Sequence, residues 1–132
     1  MNERYERGLA RQAELGGPGA TRARAYDALA DIAPDLSRLA VEFAYGDIHA
    51  RPGLDPARRE LVVLGVLTAL GGVEPQLQAH LETALNVGVR PAELVEAIMQ
   101  ALPYAGFPRV FAAMTVARRV LQSRDLLPVP PP

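Results

Sequence analysis

Apolar residues along this chain recur three and four positions apart, and Gly and Pro punctuate the runs. That period is helical, and no alternating strand pattern extends beyond a few residues. A polar first helix is predicted over about residues 2–15, closed by Gly16-Gly17-Pro18-Gly19. Thr21 is placed to cap a second helix, with Tyr26 and Leu29 turned inward, stopping near Pro34. A third crosses residues 35–50 and puts Leu36, Leu39, Ala40 and Phe43 on one face. "RPGL" (51–54) has the Pro-Gly order of a type II turn, after which Asp55 caps and Pro56 opens a helix to about residue 70. Beyond Glu60 that helix is apolar on nearly all sides, so it is expected at the buried centre. Gly71-Gly72 ends it, and the next helix starts at Pro75 and stops at Asn86-Val87-Gly88. Pro91 begins another, with Leu94, Val95, Ile98 and Leu102 at helical spacing, broken by Pro103 and Gly106. A last helix runs from about Pro108 to Gln122 and precedes a Pro-rich tail expected to be extended and mobile. The fold class is therefore all-α, with one domain over residues 1–123 and a tail over 124–132.

Composition sharpens this by what it leaves out. Trp is absent and aromatic residues are only 5%, which supports helices over strands. The chain has no cysteine, so disulfides, thiolate metal sites and cysteine nucleophiles are excluded. All 14 basic residues are Arg, so no lysine can form a Schiff base with a carbonyl or with pyridoxal phosphate. A net charge of −1 without a basic block gives nucleic-acid binding no electrostatic support. The longest apolar run, residues 61–70, falls far short of the roughly 20 residues of a membrane span. The charged N-terminal stretch carries no apolar export core, so a soluble cytoplasmic protein is expected.

Three places carry candidate chemistry. His80 stands on a helical face with Leu77, Leu81 and Ala84, which suits either a hydrogen-bonded core histidine or a proton donor. If the helices on either side of residues 72–73 form an antiparallel hairpin, His80 falls opposite Gly65. A glycine there would give room to the imidazole or allow two backbones to approach closely. Glu60 shares a face with Val63, Leu64 and Leu67, an environment that disfavours a charged carboxylate and suits an acid or base. The alternative is an acid near a helix N-terminus or paired with an Arg. The same hairpin count sets Glu60 about 7.5 Å below Gly65, so direct contact with His80 is not expected. Water or substrate would have to bridge them. In "YGDIHARPGLD" (45–55), Asp47, His49 and Arg51 crowd a helix end, and Arg51 offers a planar fork to a carboxylate or serves as an ordinary surface Arg. No third histidine completes a metal site, and none is expected.

Four stretches taken in order resemble the carboxymuconolactone decarboxylase family of the AhpD-like superfamily: "RYERGLARQAELG", "FAYGDIHARPGLDPARREL", "QLQAHLETALNVGVRPAELVEAIMQ" and "YAGFPRVFAAMTVARRV". The resemblance implies an AhpD-like helical bundle assembling into a ring-shaped homo-oligomer, a trimer or hexamer. It also implies cofactor-independent decarboxylation of a carboxylated lactone such as 4-carboxymuconolactone, within aromatic-acid catabolism. On that basis His80 is the expected proton donor, Glu60 its acid/base partner and Arg51 the carboxylate anchor. Asp47, His49 and Tyr104 are carried over as further members of the substrate pocket. The thiol-peroxidase branch has a CxxC before its histidine, but here Val73 and Gln76 stand in "VEPQLQAH", which excludes that activity. Acidic Glu60 is more similar to the wider superfamily than to the prototype decarboxylases, which have a small polar residue there. Two other functions fit the residues: a related isomerase, dehydratase or cyclase, and a non-catalytic ligand-binding oligomer.

Overall fold

A computed structural model describes residues 2–16 and 28–131, and among them there is no strand. The expected cap Thr21, the inward Tyr26 and the residues 17–19 of the first Gly-Pro break lie outside the described residues. The chain forms two compact units, Met1–Pro56 and Ala57–Pro132.

In the first unit, helix α1 spans Glu3–Glu14, as its polar pattern predicts. Asn2 caps it by accepting a hydrogen bond from the Tyr5 amide (2.8 Å). Gly16, at φ 111°, lies just past its end. A short helix α2, Pro34–Leu39, runs directly into a π-helical segment, Ala40–His49. Here the structure corrects the expected packing face. Leu36, Leu39 and Phe43 are exposed, as is Leu29, while Val41, Glu42, Tyr45 and Gly46 are buried. For Phe43 the physical reason is the wider turn; Leu36 and Leu39 lie in α2, which buries none of its residues. When backbone bonds reach five residues on, positions four and five apart stack, and a stripe drawn at α-helical spacing drifts off the buried side. That buried side lies against α1. A Cβ on Gly8 would collide with the Val41 carbonyl, and one on Gly46 with the Arg4 carbonyl, so the two glycines let the backbones meet. At residues 51–54 a turn does form, but Gly53 lacks the positive φ that a type II turn requires.

In the second unit, α3 spans Pro56–Leu70, α4 Glu74–Asn86 and α5 Pro91–Gln100. A single turn, α6 (Leu102–Ala105), leads through Gly106 (φ 90°) into α7, Phe107–Ser123. The expected breaks therefore fall where Gly and Pro put them. At the start of α5, Glu93 accepts from the Arg90 amide (2.9 Å) and closes the exposed first turn. The buried centre is α7 rather than α3. Val110, Ala113, Val116, Ala117, Val120 and Leu121 of α7 are all buried and meet Leu81 and Ala84 of α4 and Leu94 and Ile98 of α5. Helix α3 buries only the stripe Glu60, Leu64 and Thr68, and its Val62, Val66 and Leu70 are exposed. An apolar sequence on every side of a helix does not by itself say which neighbours cover it. The tail turns back after α7, where the Leu126 amide bonds the Leu121 carbonyl (2.9 Å), and then lies along the α3–α5 side.

Candidate active site

Helix α4 buries Leu77, Leu81 and Ala84, and this anchoring carries His80 at the rim of the core with 16% of its side chain exposed. Across from it, the α3 stripe holds Glu60 completely buried. His80 Nδ1 and Glu60 Oε2 are 2.9 Å apart. The contact that sequence counting did not expect is thus direct. Gly71 and Gly72 both take left-handed φ values, 67° and 69°, and redirect the chain between the helices, so the simple hairpin register does not hold. Glu60, five positions before Gly65, is the residue that meets His80. Nor does Gly65 serve either purpose suggested for it. A Cβ there would meet nothing within 4 Å, so it neither makes room for the ring nor brings two backbones together.

A buried carboxyl and an imidazole at this distance can share one proton. Kept as a neutral pair, they avoid the cost of two desolvated charges. Drawn apart as carboxylate and imidazolium, they form a strong charge-assisted bond and a proton source. Glu60 Oε1 is also buried and has no hydrogen-bond partner among the described residues. An acceptor left so costs about 1–3 kcal/mol, which a donor on a ligand or a water would recover.

Within the second unit the structure brings together Glu60 and His80 and sets Tyr104 apart from them. Tyr104 is 85% exposed and lines a cleft of about 1300 Å³ with Leu61, Gly65, Val66, Ala97 and tail residues Leu126–Pro128, which neither Glu60 nor His80 lines. In the first unit, the Asp47 carboxylate receives Arg4 Nε (3.1 Å) and Nη2 (2.7 Å) and Arg7 Nη2 (3.2 Å). Hydrogen bonds from Arg4 hold its pKa below the usual carboxylate range, against the opposing effect of burial, with the Arg4 and Arg7 charges adding to them. His49 stacks on Tyr45 with ring centroids 4.8 Å apart. Arg51 is exposed at the start of the turn.

Sequence reasoning missed Glu42, a buried carboxylate of the first unit. Burial alone would raise its pKa, but hydrogen bonds from Asn2 and Arg38 and the charges of Arg38 and Arg4 bring it below the ordinary value. Its five-residue spacing from Asp47, together with Arg4 and Arg7 three apart on α1, was the available signal. Among the described residues no three His, Asp or Glu side chains gather as a metal site, and no helix is long and apolar enough to cross a membrane.

A helical scaffold with a buried carboxyl–imidazole pair is the setting of an acid/base enzyme. The chain belongs to the carboxymuconolactone decarboxylase family, whose profile matches residues 34–119. It is 36% identical to the 4-carboxymuconolactone decarboxylase of Acinetobacter baylyi, over 96% of this chain and 92% of that protein. Nitrosuccinic acid decarboxylase of Metarhizium robertsii is also 36% identical, over 63% of this chain and 57% of its own length. An uncharacterized 15.0 kDa protein of Paracoccus denitrificans is 30% identical over 74% of each chain.

Proposed function

We propose that this protein is a cofactor-independent decarboxylase of carboxylated lactones, with 4-carboxymuconolactone the leading substrate and His80 the proton donor. The observation that carries the reading is the 2.9 Å contact between His80 and fully buried Glu60, in a chain of this family. When the carbon–carbon bond breaks, carbon dioxide leaves and its bonding pair passes into the lactone's unsaturated system. Imidazolium at His80 then gives one proton to carbon, and Glu60 stabilises the charged ring and helps restore its proton from solvent. Arg51 is the candidate for gripping a substrate carboxylate, since its guanidinium matches two oxygens at once. Asp47, His49 and Tyr104 remain candidate pocket members through the family resemblance.

The orphan Oε1 of Glu60 favours one variation. A second acceptor beside the imidazole also permits deprotonation, so isomerisation, dehydration or cyclisation of a related cyclic acid is the alternative on the same dyad. The test is carbon dioxide release from 4-carboxymuconolactone by the wild-type protein in deuterium oxide. The proposal expects release together with one deuteron on the ring carbon beside the lactone carbonyl, where the displaced electron pair ends. No release removes this substrate, and deuterium exchange without release selects the alternative.

The working form in this reading is a ring-shaped homo-oligomer, a trimer or hexamer, in the cytoplasm. Exposed Val62, Val66, Tyr104, Phe107 and Phe111 in the second unit support it, because monomers seldom leave so much apolar surface in water. Light scattering at micromolar concentration checks it, and a monomer there would refute the ring.

A further inference from the structure

Among the described residues, two unlike surfaces of the second unit are unpartnered. One is the α3–α5 cleft, with Val62 and Val66 58% and 52% exposed along its α3 wall. Its charged groups are Arg90, Glu93, Glu96 and Asp125, and Arg90 is paired with Glu93 at 3.1 Å, so the excess is negative. The other surface is the outer face of α7. Phe107 and Phe111, one turn apart with ring centroids 6.1 Å from each other, are 63% and 67% exposed. Arg118 and Arg119 stand exposed further along that helix, which has no acidic residue from end to end. An aromatic ridge flanked by arginines therefore matches an apolar cleft rimmed by carboxylates.

We propose that the Phe107–Phe111 ridge of one copy of this chain seats in the α3–α5 cleft of another. This rests on the homo-oligomer reading and specifies which surfaces make it. Seated aromatic rings remove the apolar area from water, and the Arg118–Glu96 attraction selects cleft over ridge as the docking face. A contact between unlike surfaces propagates until the last copy meets the first, which is how rings close.

The cysteine-free chain allows a clean test. Val66→Cys and Phe111→Cys copies, co-expressed and mildly oxidised, should give a covalent pair containing one of each, while Phe111→Cys alone should not crosslink to itself. Glu96→Arg and Arg118→Glu should each weaken self-association at least tenfold by sedimentation, and the double variant should recover it. An oligomer of normal size with no mixed crosslink, or with Phe111→Cys self-crosslinks, overturns this contact but leaves the oligomer standing. A monomer at all concentrations overturns both. A monomeric protein whose cleft binds an apolar dye, lost in Val66→Arg, assigns the cleft to a small ligand and overturns the proposal as well.

Discussion

Two buried glutamates, one in each unit, meet opposite fates. Glu42 is 2% exposed, and its oxygens receive Asn2 Nδ2 at 3.1 Å and Arg38 Nη1 at 3.2 Å. Arg4 adds a second guanidinium 3.7 Å away. Glu60 is more deeply buried, yet its one resolved partner is an imidazole that can itself gain or lose a proton, and its second oxygen has none among the described residues. The first carboxylate is surrounded by permanent positive charge, so it stays ionised and holds structure. The second faces a group whose charge can change, so a proton can move. Burial alone does not mark a site; the nature of the partner does.

The contrast is sharpest in activity. Replacing Glu60 by Gln keeps the shape but removes the exchangeable carboxyl, and kcat should fall by about 100-fold or more. Replacing Glu42 by Gln should lower the melting temperature and leave kcat per folded molecule within a few fold. Equal kinetic losses in the two variants would erase the distinction.

The two units also differ in what their helical glycines do. Gly8→Ala forces a methyl group into the Val41 carbonyl, an overpacking expected to cost about 1–3 kcal/mol in denaturant melts. Acid should act on the same region. Asp47 and Glu42 titrate below their ordinary values in the folded chain, so the unfolded chain binds more protons. Their stabilisation is fully present above the unfolded carboxylate pKa of about 4 and drains away as pH falls through the lower folded values. Hydrogen exchange at α1 amides should accelerate over that interval before exchange in α7 does. The smallest effect is expected at Gly65→Ala. Its added methyl meets nothing within 4 Å, so helix propensity alone should stabilise by about 0.5–1 kcal/mol. A loss there would mean that Gly65 does hold open space for a neighbour.

Much of the fold was legible because Gly and Pro act through local backbone geometry. The starts at Pro56 and Pro91 and the breaks at Gly71, Gly88 and Gly106 need no knowledge of distant residues. Packing was read less well. Leu36, Leu39 and Phe43 looked inward at α-helical spacing, yet α2 buries none of its residues and the π-helical turn carries Phe43 outward. Helix α3 looked central from its composition, yet the regular small and branched residues of α7 took that place. Glu60 and His80 both stood out as candidates from their apolar neighbours and took their expected roles from the family resemblance, but their contact was not legible. It depends on the turn at Gly71-Gly72, whose direction a residue count does not contain.

Central to the account is an imidazole, held by a buried carboxyl, that delivers hydrogen to substrate carbon. The most direct measurement is the rate of carbon dioxide release from 4-carboxymuconolactone by His80→Ala beside wild type, with circular dichroism confirming an intact helical fold. A fall of about 10²–10⁴-fold is predicted. Unchanged turnover in a folded His80→Ala protein would contradict it.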